Sequence, residues 1–163
     1  MAGNERALKA LTLVHRTPQE ALRALSLLDL EFVADESWNR SLVERLQAVA
    51  AGARDDFRDV RIEVYPDSAF ARRVICHCRR IAHGRTLTYG ELAARAGSPR
   101  AARAVGNIMA VNRTPLVVPC HRVVARAGHI GYSTGERLRG KLRLLEQEQL
   151  ASPWDGTCGT GRQ

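Results

Sequence analysis

No run of 18 apolar residues occurs in the 163-residue chain, so no transmembrane helix is expected. The first residues, Met1-Ala2-Gly3-Asn4-Glu5-Arg6, lack the basic and apolar regions of a secretory leader. A cytoplasmic location with no membrane partner is therefore expected. Cysteine is sparse: Cys76, Cys78, Cys120 and Cys158 are the four present. Without an export signal they read as reduced thiols rather than as a disulfide framework. Cys76-His77-Cys78 invites a metal reading, but adjacent helical residues point about 100° apart, which suits one ion poorly. No second Cys/His pair stands at ligand spacing, so ordinary helix packing, and no metal site, is expected.

What is present is an ordinary apolar fraction, 45%, enough for a core in one domain or two small ones. The net charge of +8 is uneven. Residues 1–66 hold 9 Lys/Arg against 11 Asp/Glu, whereas residues 67–150 hold 15 against 5. Such an excess is the footprint of a polyanion binder, although a solvated basic surface shares it.

Along the acidic half, residues 5–16 suit a short helix with Asn4 as cap. Thr17-Pro18-Gln19-Glu20 opens a helix of about 12 residues, with Thr17 as cap and Pro18 at the first helical position. Ser41 to Ala51 predicts another, ended near Gly52. Arg61-Ile62-Glu63-Val64-Tyr65 alternates as a strand, stopped by Pro66. In the basic half, Asp67 or Ser68 opens a helix that runs toward Gly84. Tyr89 to Ala96, capped by Thr88, is a helix broken by Gly97. Ser98 caps the next, with Pro99 at its first position and a span from about Arg100 to Val111. Helix, glycine turn, helix is the helix-turn-helix pattern, shared with generic helical hairpins. The second helix starts Arg100-Ala101-Ala102-Arg103-Ala104-Val105-Gly106. Its alanines and glycine give a narrow profile suited to a minor groove. Ala101, Ala104 and Val105 also suit packing against the first helix.

The densest chemistry lies in Pro115-Leu116-Val117-Val118-Pro119-Cys120-His121-Arg122-Val123-Val124. Leu116 to Val118 reads as a short buried strand, and Pro119 stops it. A thiol follows at the end of that element, with an imidazole and a guanidinium beside it. A free thiol is only slightly ionised at neutral pH, so a nucleophilic cysteine needs a base such as His121, which in turn needs a carboxylate to orient it.

Taken together, Tyr89-Gly90-Glu91-Leu92-Ala93, Arg100 to Gly106, Asn112 and Pro119-Cys120-His121-Arg122-Val123 resemble the O6-alkylguanine–DNA alkyltransferase family, over about residues 67–150. The resemblance implies an α+β protein. Residues 1–66 would form a divergent N-terminal half, residues 67–150 a helix-turn-helix (winged-helix-like) alkyltransferase domain, and residues 151–163 a mobile tail. It implies single-turnover DNA repair on duplex DNA entered from the minor groove. An alkyl group would pass from O6 of a flipped guanine to Cys120 as an irreversible thioether, because that carbon is inaccessible inside the duplex. A monomer is expected, and no metal or organic cofactor.

The resemblance also assigns residues. His121 activates Cys120, oriented by Glu148, with Glu146 as a substitute. Asn112 braces the turn around the cysteine. Tyr89 helps rotate the nucleotide out, and Arg103 takes the place of the flipped base. Arg100, Ala101 and Ala104 belong to the same DNA-facing helix. Pro115 and Tyr132 wall the alkyl group, the backbone of Cys120 and Val123 meets the guanine edge, and Ser133 meets O6. Arg122 is an ion-pair partner and His129 a turn residue. The chain departs from the family in its helical pattern before residue 66, in a lengthened segment from Tyr132 to Lys141, and at Asn107-Ile108. Relatives lacking the cysteine act as lesion sensors, so a non-catalytic lesion-binding sensor or regulator is the alternative. A cysteine hydrolase would leave the basic half unexplained.

Overall fold

The computed structural model describes residues 2–3, 7–11, 18–26, 39–126 and 136–148. The elements run β1 (Ala2–Gly3), β2 (Leu8–Ala10), α1 (Pro18–Ser26), α2 (Arg40–Ala50), α3 (Ala69–Cys78), β3 (Leu87–Thr88), α4 (Tyr89–Arg95), α5 (Ala102–Ala110), a 3-10 turn (Cys120–Arg122), β4 (Val123–Val124) and α6 (Glu136–Gln147). β1 and β2 pair antiparallel, and β3 and β4 pair parallel, Leu87 opposite Val123 and Thr88 opposite Val124.

Several local choices follow from caps. Ser68 accepts the N–H of Ala71 at the start of α3, and Thr88 with Glu91 forms a full capping box on α4. Gly97 takes φ 78°, a conformation that favours glycine, and so turns the chain between α4 and α5. α5 begins later than the sequence predicts. The Ala101 N–H closes a turn on the Ser98 carbonyl at 2.9 Å, which places Pro99 and Arg100 in that turn and makes Ala101 the cap residue. α3 likewise ends at Cys78, short of Gly84, and decays through turn bonds from Arg79 to Ile81.

Three other expectations are corrected. Residues 8–10 form a strand, not part of a helix. Leu8 donates to the Arg61 carbonyl and accepts from Glu63, both at 2.9 Å, and tertiary pairing overrides the helical pattern. The expected strand at 61–65 is reduced to one bridge, Ile62 with Leu8. Leu116 to Val118 is a buried turn rather than a strand. Leu116 has φ 71°, and the Val118 N–H reaches back to the Thr114 carbonyl at 2.9 Å. A short apolar run reports burial, and periodicity alone does not fix its backbone shape.

That turn lies between two cores. The first gathers Val74, Ile75 and Cys78 of α3, Leu92 of α4, Val105 and Met109 of α5, and Val118 and Val123. The second gathers Leu8, Leu11, Leu42, Leu46, Phe57, Leu116 and Val117, with Leu144 of α6 packed against it. α4 and α5 pack on each other, and Arg73 of α3 fastens the end of α4 through a 2.9 Å bond from Nε to the Ala96 carbonyl.

Candidate active site

Cys120 opens the 3-10 turn directly after Pro119, half-buried and packed against the first core. Its N–H donates to the Val118 carbonyl at 2.7 Å, and its carbonyl accepts from Val123. Asn112 braces this bend. Its Nδ2 donates to the Val118 carbonyl at 3.1 Å, and its Oδ1 accepts from the Thr114 N–H at 3.0 Å.

His121 and Arg122 are buried, and both turn to Glu148, which follows α6. His121 Nε2 meets Glu148 Oε1 at 2.9 Å. Arg122 donates from Nε at 3.1 and 3.0 Å and from Nη2 at 2.7 Å, while its Nη1 donates to the Ile81 carbonyl at 2.8 Å. The Gly84 N–H adds a bond to Oε2 at 3.2 Å. The carboxylate thus receives two charge-assisted partners and one backbone donor. Glu146 is exposed and takes no part.

The electrostatics set the tautomer. Burial alone would push the Glu148 carboxyl up, but the bonds and charges of His121 and Arg122 outweigh it and hold the group well below the usual carboxylate range. Burial pushes the His121 imidazole below its ordinary value, against the pull of Glu148. A neutral imidazole beside an ionised carboxylate donates from Nε2, so Nδ1 is left with the lone pair of a base. Cys78, fully buried in the first core, is held far above the ordinary thiol range by burial and remains an unreactive thiol.

Other residues singled out in the sequence divide between core and surface. Tyr89 and Pro115 are half-buried, and Val123 is fully buried in the first core. On α5, Val105, Ile108 and Met109 face inward while Arg103, Ala104, Asn107 and Ala110 form the exposed face. Ala104 therefore looks outward, Ala101 is half-buried against the core, and Arg100 stands exposed in the preceding turn. Tyr132, Ser133 and His129 lie outside the described residues, as does the tail from 151.

Sequence reasoning missed Lys141. It is buried on α6, donates to the Val123 carbonyl at 2.6 Å, and its ammonium lies 5.9 Å from the centre of the Tyr89 ring. The signal was spacing: Lys141, the buried Leu145 and Glu148 recur at i, i+4 and i+7, one face of a helix. Burial holds Lys141 below the ordinary lysine range. An open cleft adjoins the site, lined by His83, His121 and Glu148 and by Asp55 and Phe57 of the N-terminal half.

The family model described as "6-O-methylguanine DNA methyltransferase, DNA binding domain" matches residues 69–150. The methylated-DNA–protein-cysteine methyltransferase of Mycolicibacterium paratuberculosis is 37% identical over 151 residues, 88% of each chain. The Mus musculus protein of the same name is 38% identical over 99 residues, 60% of this chain and 47% of the mouse protein, so the chain spans about half the length of that relative. Among solved structures, Mycobacterium tuberculosis OGT in complex with DNA superposes with a TM-score of 0.73 at 30% identity, covering 93% of this chain and 86% of that one.

Proposed function

This chain belongs to the 6-O-methylguanine DNA methyltransferase family, and we propose that it repairs DNA by moving the alkyl group of O6-alkylguanine irreversibly onto its own Cys120. It is a single-turnover methylated-DNA–[protein]-cysteine S-methyltransferase. The observation that carries this assignment is the Glu148–His121 bond beside Cys120, which leaves an imidazole nitrogen free to act as base. His121 takes the Cys120 proton, directly or through a water. The thiolate attacks the alkyl carbon in line. The S–C bond forms, the C–O6 bond breaks, and its electron pair leaves with guanine, which takes up a proton in place of the one the thiol lost. The thioether does not hydrolyse, so each molecule acts once.

The α5 face suits a minor groove. Beside Arg103 and Asn107 it exposes only alanines, a low relief that permits close approach. Arg103 fills the gap left by the flipped base, Tyr89 assists its rotation, and Arg100 and Ala104 contact the duplex alongside. Asn112 holds the bend, and Pro115, Tyr132, Ser133 and the backbone at Val123 form the guanine pocket. Residues 67–150 carry this machinery and residues 1–66 support it, in a protein that works as a cytoplasmic monomer.

The test is a mass measurement after incubation with duplex DNA carrying O6-methylguanine. The expected result is a gain of one methylene mass on the Cys120 peptide, absent in Cys120→Ala. An unchanged mass with DNA still bound would instead make the protein a lesion sensor.

A further inference from the structure

Residues 55–60 of the N-terminal half are gripped by two arginines from two helices. Arg45 of α2 donates to Asp55 at 2.7 and 2.8 Å and to Asp59 at 2.7 and 2.8 Å. Arg79, just past the end of α3, donates through Nη2 to the carbonyls of Phe57 and Val60, the latter at 2.9 Å. Those carbonyls belong to a turn closed by the Val60 N–H on Phe57 at 3.0 Å. The Nε of Arg79 is buried without a partner among the described residues, a cost that the two carbonyl bonds offset.

Phe57 is the residue this grip fixes. It holds φ 48°, an uncommon conformation for a bulky side chain, and is 1% exposed. Its ring shares the second core with Leu116 and Val117, and Leu144 packs against that core. Leu116 and Val117 lead within three residues to Cys120. Leu144 accepts the Glu148 N–H at 3.0 Å, one turn before the carboxylate. Phe57 also lines the cleft in which His121 and Glu148 meet. One core therefore backs both arms of the site, the loop bearing the thiol and the helix end bearing the carboxylate.

We propose that Phe57, locked by Arg79 and Arg45, is a positioning residue for alkyl transfer, setting the Cys120 loop and the end of α6 in register with each other. The inference rests on the reading of Cys120 as the alkyl acceptor. Phe57 acts through Leu116 and Leu144, so its loss misaligns the thiol, imidazole and carboxylate while the α5 face stays intact.

Arg79→Met removes the grip on the two carbonyls. The measurements are the rate of benzyl transfer from free O6-benzylguanine to Cys120, iodoacetamide labelling of Cys120 and of buried Cys78, and affinity for duplex DNA. Benzyl transfer should slow roughly ten- to a hundredfold, the scale of a misplacement near 1 Å. Iodoacetamide labelling of Cys120 should fall, Cys78 should stay protected, duplex affinity should hold, and Arg79→Lys should recover much of the rate. Labelling of Cys78 that rises together with Cys120, at an unchanged transfer rate, marks a merely structural role and overturns the proposal. Should Arg79→Met not fold, Asp59→Asn at the exposed edge of the grip decides: slowed transfer supports the proposal and an unchanged rate overturns it. Wild-type protein that labels with iodoacetamide but gains no methyl group from O6-methylguanine duplex refutes the acceptor reading. The iodoacetamide rates of the two variants then decide the positioning on their own.

Discussion

Val117 and Val118 share a peptide bond and belong to different cores. The core around Val118 draws its members from a nearly continuous stretch, Ala71 to Val123. The core around Val117 draws on Leu8, Leu42, Phe57, Leu116 and the neighbouring Leu144, pieces scattered over the chain. The first builds the helix pair that would meet DNA, and the second holds the cysteine loop from behind. Binding and chemistry thus lean on different packing, which meets at this bend three residues before the thiol and again at Ile62, while Cys120 itself touches the first core.

Ways to break this arrangement differ in size. The largest effect should come from the carboxylate that serves both the buried Arg122 guanidinium and the neutral His121 imidazole. Glu148→Ala leaves the Arg122 charge buried without its partner and should cost about 3–5 kcal/mol, with loss of alkyl transfer. Denaturant melts and the Cys120 mass assay check this, and a variant as stable as the parent would refute the burial argument.

Next comes a matched pair. Leu92→Ala in the first core and Leu46→Ala in the second should each cost about 2–5 kcal/mol. At a temperature where both variants remain folded, Leu92→Ala should weaken duplex binding, and Leu46→Ala should slow transfer from free O6-benzylguanine at unchanged duplex affinity. Equal effects of both on both measurements would dissolve the distinction between the cores.

Acid sharpens the comparison further, because His121 and Glu148 titrate beside the junction. The folded pKa of His121 lies below its unfolded value of about 6.5, so the unfolded chain binds that proton first and stability falls as pH drops through that value. Glu148 contributes stability above its unfolded value of about 4.3, lost as pH falls toward its depressed folded value. Melting temperatures should therefore hold steady near pH 7–8 and decline from about pH 6.5 downward. A rise on acidification would reverse the assigned protonation states.

The smallest change is Thr88→Ala. It removes the cap of α4 and should cost about 1 kcal/mol, with duplex affinity lowered and the rate on free base untouched.

The same contrast explains what was legible in the sequence. Caps at Ser68 and Thr88, the break at Gly97 and the Cys120-His121 pair are local signals, and they mark α3, α4 and the site in their observed places. The strand at Leu8–Ala10 depends on pairing with Ala2–Gly3 and on a bridge to Ile62 more than fifty residues away, and its helical pattern of residue types does not reveal either partner. Leu116 to Val118 announced burial and concealed a left-handed turn. The grip of Arg79 leaves no mark in the sequence, because nothing near it reveals the two carbonyls it finds. Lys141 was hidden for the same reason: its acceptor lies on β4, distant in the chain, and only the i, i+7 spacing to Glu148 hinted at it.

That lysine has an analytical use. The chain contains two lysines, Lys9 and Lys141. Lys9 is half-buried on β2 near Glu63, whereas the Lys141 amine is enclosed where α6 meets β4. A lysine-specific protease therefore has two places to cut, one on β2 and one that stays shut while α6 is docked. Cleavage after residue 141, followed over time, reads the undocking of the helix that carries the carboxylate, with no label and no mutation.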